Sequence, residues 1–274
     1  MPRLPSLAGA AFALALVVTS HGNARANSHE EGGGEAASAQ ASASLTLPKG
    51  SLLLVVPVEV SLSSGAVAKP ISVAPDVWYG VMDKLSVGVV HSAFGSTGFF
   101  AGAGDGICVT GEDSGCAKFY DNAGLDIRYG LLDGSFLLAA DVGAFATSLD
   151  PLTLGAKLGV LGMYPAGPLS ILFNPNIFVG LTERDGGNKE VISIPVTLAF
   201  GLGDKASLGV QAGILAPLDG FADAFFIPVS AGLRFIAMPK LTIDAAFSFP
   251  ALYSKVGETD TDSRAITLAA SIAL

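Results

Sequence analysis

The stretch from Asp76 to His91 constrains the fold more than any other. On its first arm Val77, Tyr79 and Val81 alternate with Asp76, Trp78 and Gly80; on its second, Leu85, Val87 and Val89 alternate with Ser86, Gly88 and Val90. Side chains point to opposite faces along a strand, so each arm has one apolar face and one small or polar face. Met82-Asp83-Lys84 then forms the turn of an antiparallel hairpin. A soluble sheet accommodates such a hairpin once; here the pattern recurs through most of the chain.

The same alternation predicts twelve strands, at 51–62, 76–81, 85–91, 124–131, 135–146, 152–164, 169–180, 192–201, 207–214, 225–235, 241–249 and 266–274. They run to about ten residues, the length a tilted strand needs to cross a hydrocarbon layer. Short turns at 82–84, 132–134, 165–168, 203–205 and 238–240 alternate with mostly longer polar connections. Half of the residues are apolar and only 14% are charged, yet beyond the N-terminus no run approaches the ~18 apolar residues of a spanning helix. The backbone groups of a spanning segment must all be paired within the protein, which leaves a closed barrel. The expected fold is all-β: an antiparallel up-and-down transmembrane β-barrel over residues 50–274, both ends on the side of the short turns.

Residues 1–26 have the form of a cleaved secretory signal: Arg3, an apolar run from Leu7 to Val18, and Ala24-Arg25-Ala26 as the cleavage site. Residues 27–49 are small, polar and acidic, a flexible leader that has too few apolar groups to bury, with folding back into the lumen as the alternative. Losing Arg3 and Arg25 takes the net charge from −9 to −11, a poor match for nucleic acid. In an exported chain Cys108 and Cys116 pair by default and close one short loop. Asp105, Glu112 and Asp113 nearby follow no calcium-loop spacing. Neither a metal nor a cofactor is expected.

Every charge assigned to a strand, namely Glu59, Asp76, Asp126, Arg128, Asp141, Lys157, Arg234 and Asp244, falls on the face opposite the apolar one. That face is expected to line the lumen, diluted by Gly, Ser, Ala, Asn and Gln into a polar wall of small side chains. Centring the fifth and sixth strands on Leu149 sets Asp141 directly across from Lys157 in this wet interior. Tyr79, Tyr129, Tyr164, Phe200 and Phe235 each precede a short turn on the apolar face, as an aromatic girdle at a membrane interface does.

From Ser51 to Leu274 the chain resembles the bacterial outer-membrane β-barrel proteins, porin-like in the broad sense. The resemblance rests on hairpins of the Trp78-Tyr79-Gly80 to Asp83-Lys84-Leu85 kind. It implies residence in the outer membrane, with membrane lipids and the barrel-assembly machinery as partners, and passive passage of a small polar or amphiphilic solute. Such chains commonly end on Phe; the last residue here is Leu274. Two alternatives stand beside the channel. One is a structural or surface-interaction barrel acting through loop 93–121. The other is a lipid hydrolase similar to the outer-membrane phospholipase and lipid A deacylase families, using His91 near Ser92 and Ser96. His91 reads instead as a lipid-side residue at a strand end with no acid to orient it, so no catalytic residue is assigned.

Overall fold

In the computed structural model the described residues are 44–63, 69–91, 105–111, 115–116, 119–255 and 258–274. The expected signal segment, most of the expected leader, Ser92, and much of loop 93–121, including Ser96, Glu112 and Asp113, lie outside them.

The chain forms a closed barrel of twelve antiparallel staves. In order these are β1 (Leu52–Ser61), a broken stave of β2 (Ile71–Val73) and β3 (Asp76–Met82), β4 (Leu85–Val90), β7 (Ala123–Leu132), β8 (Leu137–Leu149), β9 (Leu152–Ala166), a second broken stave of β10 (Leu169–Phe173) and β11 (Asn176–Gly180), β12 (Val191–Gly201), β13 (Ala206–Pro217), β14 (Phe226–Met238), β15 (Leu241–Ser254) and β17 (Ala265–Ala273). Three short strands, β5 (Gly106–Cys108), β6 (Tyr120–Asp121) and β16 (Glu258–Thr259), belong to the loop end. Proline breaks both interrupted staves: Pro75 separates β2 from β3, and Pro175 separates β10 from β11, since proline offers no N–H to the ladder. The second stave therefore starts at Ile71, earlier than the alternation suggests. Closure is made by β1 against β17, from Leu53↔Ala273 to Ser61↔Ala265.

Alternation decides which side chains face out. Val77, Leu125, Ile127, Leu158, Val196, Leu198, Val210, Leu233, Ile243 and Leu268 are all exposed, on staves from around the whole circumference. An apolar belt of that extent is met by lipid rather than water. Tyr79, Tyr129, Tyr164, Phe200 and Phe235 are exposed on the same outer face, and each pairs with residues close to a short turn: Tyr129 with Leu85, Phe200 with Leu169, Phe235 with Ala206.

At the loop end β5 extends the sheet from β2 through Ser72↔Cys108. Cys108 and Cys116 are joined by a disulfide with their Cα atoms 6.0 Å apart. Arg184 closes the loop before β12, donating from Nη1 to the Gly180 carbonyl at 2.6 Å and pairing with both carboxylate oxygens of Glu190 at 2.6 and 3.1 Å. This guanidinium holds the Glu190 carboxyl below its usual range.

Candidate functional site

The lumen is built from the inward residues, and its two halves differ. Around β1, β3, β4, β7, β8, β9 and β11 the interior is a packed core. Leu53, Val55, Trp78, Val90, Phe145 and Phe178 are buried there in one cluster, and Leu137, Met163 and Leu172 form a second nearer the turns. Glycines on neighbouring strands make room for the rings. A Cβ on Gly88 would strike the Trp78 indole, and one on Gly155 would strike Phe178.

Most of the charge sits inside this packed half. Lys157, 0% exposed, donates from Nζ to Asp126 Oδ2 at 2.6 Å and to Asp141 Oδ2 at 2.9 Å. Arg128 lies with Cζ 4.0 Å from the Trp78 ring centre and Nε 3.5 Å from Asp141 Oδ1. Asn174 Nδ2 donates to Asp141 Oδ2 at 3.3 Å. Two expectations are corrected. The wall is not uniformly polar and small, because the Trp, Phe, Leu and Met side chains above share it. Asp141 pairs across with Gly159, and Lys157 with Gly143; the ion pair is diagonal, and it is buried rather than wet.

The remaining inward charges lie apart from the Lys157 cluster. Arg234 grips Asp244 with Nε to Oδ1 at 2.6 Å and a second hydrogen bond at 3.2 Å from Nη2 to Oδ2. Glu59 is buried on β1. Asp76, also buried, accepts from the His91 main-chain N–H at 2.9 Å, with His91 Nδ1 3.6 Å from the same oxygen. His91 is therefore turned toward an inward carboxylate and packs edge-on to Tyr120. It does not face lipid, and it does have an acidic neighbour.

The last residues of the leader also enter the lumen. Segment 44–50 crosses the turn-side mouth, held by Leu47 N–H to Ser86 Oγ at 2.7 Å, Thr46 Oγ1 to the Asp83 carbonyl at 2.9 Å and Gly50 N–H to the Gly80 carbonyl at 2.7 Å. Leu47 joins the first apolar cluster and Leu45 packs on the second. Gly80 permits the crossing, since a Cβ there would collide with the Pro48 carbonyl. Leu45 and Leu47 were the sequence signal: two large apolar residues in an otherwise small and polar leader.

The other half, from β10 through β12, β13, β14 and β15 to β17, is hollow at the turn end. A cavity of about 390 Å³ opens there. The turn residues Gly167, Gly203, Lys205 and Lys240 line its rim, and inside are Ser170, Ala199, Ser207, Gly209, Gly232, Ala246, Ser271 and the Arg234–Asp244 pair. Small residues make the space. Deeper in, Ser193, Ser230 and Thr267 are buried, and like Ser271 on the cavity wall they have no hydrogen-bond partner for their side-chain oxygens among the described residues. Among the described residues no group of three or more His, Cys, Asp or Glu is placed to hold a metal ion.

No family model and no curated protein matches the sequence. Solved structures do. The NanC porin aligns with TM-score 0.55 at 10% identity over 80% of this chain and 98% of that one. An outer-membrane channel from Pseudomonas putida F1 aligns with TM-score 0.55 at 13% identity over 84% and 97%. The KdgM porin, described in complex with disordered oligogalacturonate, aligns with TM-score 0.51 at 6% identity over 80% and 98%. Identities this low establish a shared barrel fold. They carry no binding residue across.

Proposed function

We propose that this chain is an outer-membrane barrel that acts as a narrow passive channel for small polar or amphiphilic solutes, and that it is not an enzyme. One observation carries the reading: a cavity of about 390 Å³ opens at the turn-side mouth, and small inward side chains on one half of the wall leave the space for it. The shared fold with outer-membrane channels supports the same reading.

The test is reconstitution of the signal-free protein into planar bilayers and liposomes. The channel reading expects steady conductance, and swelling in small polar solutes. Folded protein that shows neither contradicts it. One observation favours the surface-interaction alternative: Val109 and Phe119 are 54% and 65% exposed beside the disulfide. An unchanged conductance with lost cell-surface binding after replacing both by Ser would select it.

A further inference from the structure

We infer that the cross-strand row Thr197, Gln211, Ser230 and Ser248 is the constriction of the passage, that Gln211 sets its size limit, and that its lack of charge favours uncharged solutes over ions and gives the residual ion current no strong preference for cations or anions. The inference rests on the channel reading above and names where that channel selects.

The row is contiguous. Thr197 pairs with Gln211, Gln211 with Ser230, and Ser230 with Ser248. All four are buried inward residues, so they form one continuous row across four staves of the hollow half, rising along the wall with the strand tilt. On the turn side the next inward row is Ala199, Gly209, Gly232 and Ala246, related by the same registers. No side chain in that row exceeds a methyl group, and all four residues line the cavity.

At the next level the space ends. Thr197 is the member of the constricting row that still lines the cavity, whereas Gln211 is 1% exposed. Gln211 is the one long side chain in either row, and its Nε2 donates to Thr197 Oγ1 at 2.7 Å. Beyond it, past Pro195 and Gly213, lies the buried hydroxyl of Ser193. The Gln211 amide therefore stands between the cavity and the loop-side part of the same half.

Chemistry gives the selectivity. The row offers hydroxyl and amide groups, which both donate and accept, and so can replace the hydration of a neutral polyol or amide. It offers no counter-charge, and stripping an ion of water at an uncompensated narrow point is costly. The nearest ionic groups on this half, Arg234 and Asp244, neutralise each other on the cavity side.

The experiment is swelling of liposomes containing the signal-free full chain in uncharged polyols of increasing size, with reversal potentials measured in a KCl gradient. Gln211→Ser should admit polyols that the natural protein excludes, leaving glycerol entry nearly unchanged. Gln211→Glu should shift the reversal potential toward cations. Ser230→Gln, which adds a second amide to the row from the neighbouring strand, should lower the size limit and serves as an independent variant if a change at Gln211 prevents folding. Folded variants with the same size limit and reversal potential as the natural protein would overturn the constriction while leaving the channel intact. Folded natural protein and variants that all fail to swell or conduct would overturn the channel reading itself.

Discussion

Lys157 illustrates how much of a residue's role depends on its surroundings. Its inward face is legible in the sequence, because Leu158 beside it belongs to the lipid-facing set. Its partners are not, because they depend on a bulge. The β8–β9 turn closes with Leu149 opposite Leu152, and a register shift between Ala146 and Ser148 then absorbs one residue. Without that shift Asp141 would meet Val160 and the two faces would be mixed. The burial of Lys157 is equally hidden, since it comes from Phe145 and Phe178 on other strands. A buried charge whose partner is removed is expected to cost about 3–5 kcal/mol. Lys157→Ala, which strands Asp126 and Asp141, should lose that much in denaturant unfolding of the detergent-folded barrel. Lys157→Glu should fail to give a heat-modifiable folded form. The triple change Lys157→Met, Asp126→Asn and Asp141→Asn should recover most of the loss. Near-natural stability of Lys157→Glu would show this half of the lumen to be wet.

At the scale of elements, the lipid-facing alternation was readable nearly everywhere, because lipid accepts only apolar side chains. The inner faces were harder. Leu53 and Val55 weaken the alternation of β1 by making both of its faces apolar, and the structure gives the reason: they belong to the core that fills half of the lumen. Phe145 and Phe178 carry the same message from β8 and β11. An inward ring above an inward glycine on the next strand is a packing pair, and such a pair appears only when the register is known. Gly155→Ala should destabilise the barrel by about 1–3 kcal/mol through overpacking against Phe178. Adding Phe178→Leu should return part of that loss, as read by the same unfolding transition. Equal losses in the single and double variants would mean that the glycine serves its backbone rather than the ring.

For the whole molecule, closure, stave number and the placement of both ends by the short turns follow from counting alternating segments. The division of the lumen into a packed half and a hollow half does not, because it depends on which strands the barrel brings face to face. Trp78 reports on the packed half: it is 3% exposed, with Arg128 over its ring. Its fluorescence should respond only weakly to lipid-borne quenchers at any depth, and strong quenching would mean that the faces of β3 are reversed. The hollow half is tested most directly by thiol block of conductance in two matched variants, the natural cysteines being tied in a disulfide. Ser207→Cys places a thiol in the open cavity, and Ser86→Cys places one under segment 44–50 in the packed half. A bulky, charged thiol reagent added from the turn side should block current through Ser207→Cys and leave Ser86→Cys conducting. Block at Ser86→Cys with none at Ser207→Cys would put the passage on the other side of the barrel and contradict the account.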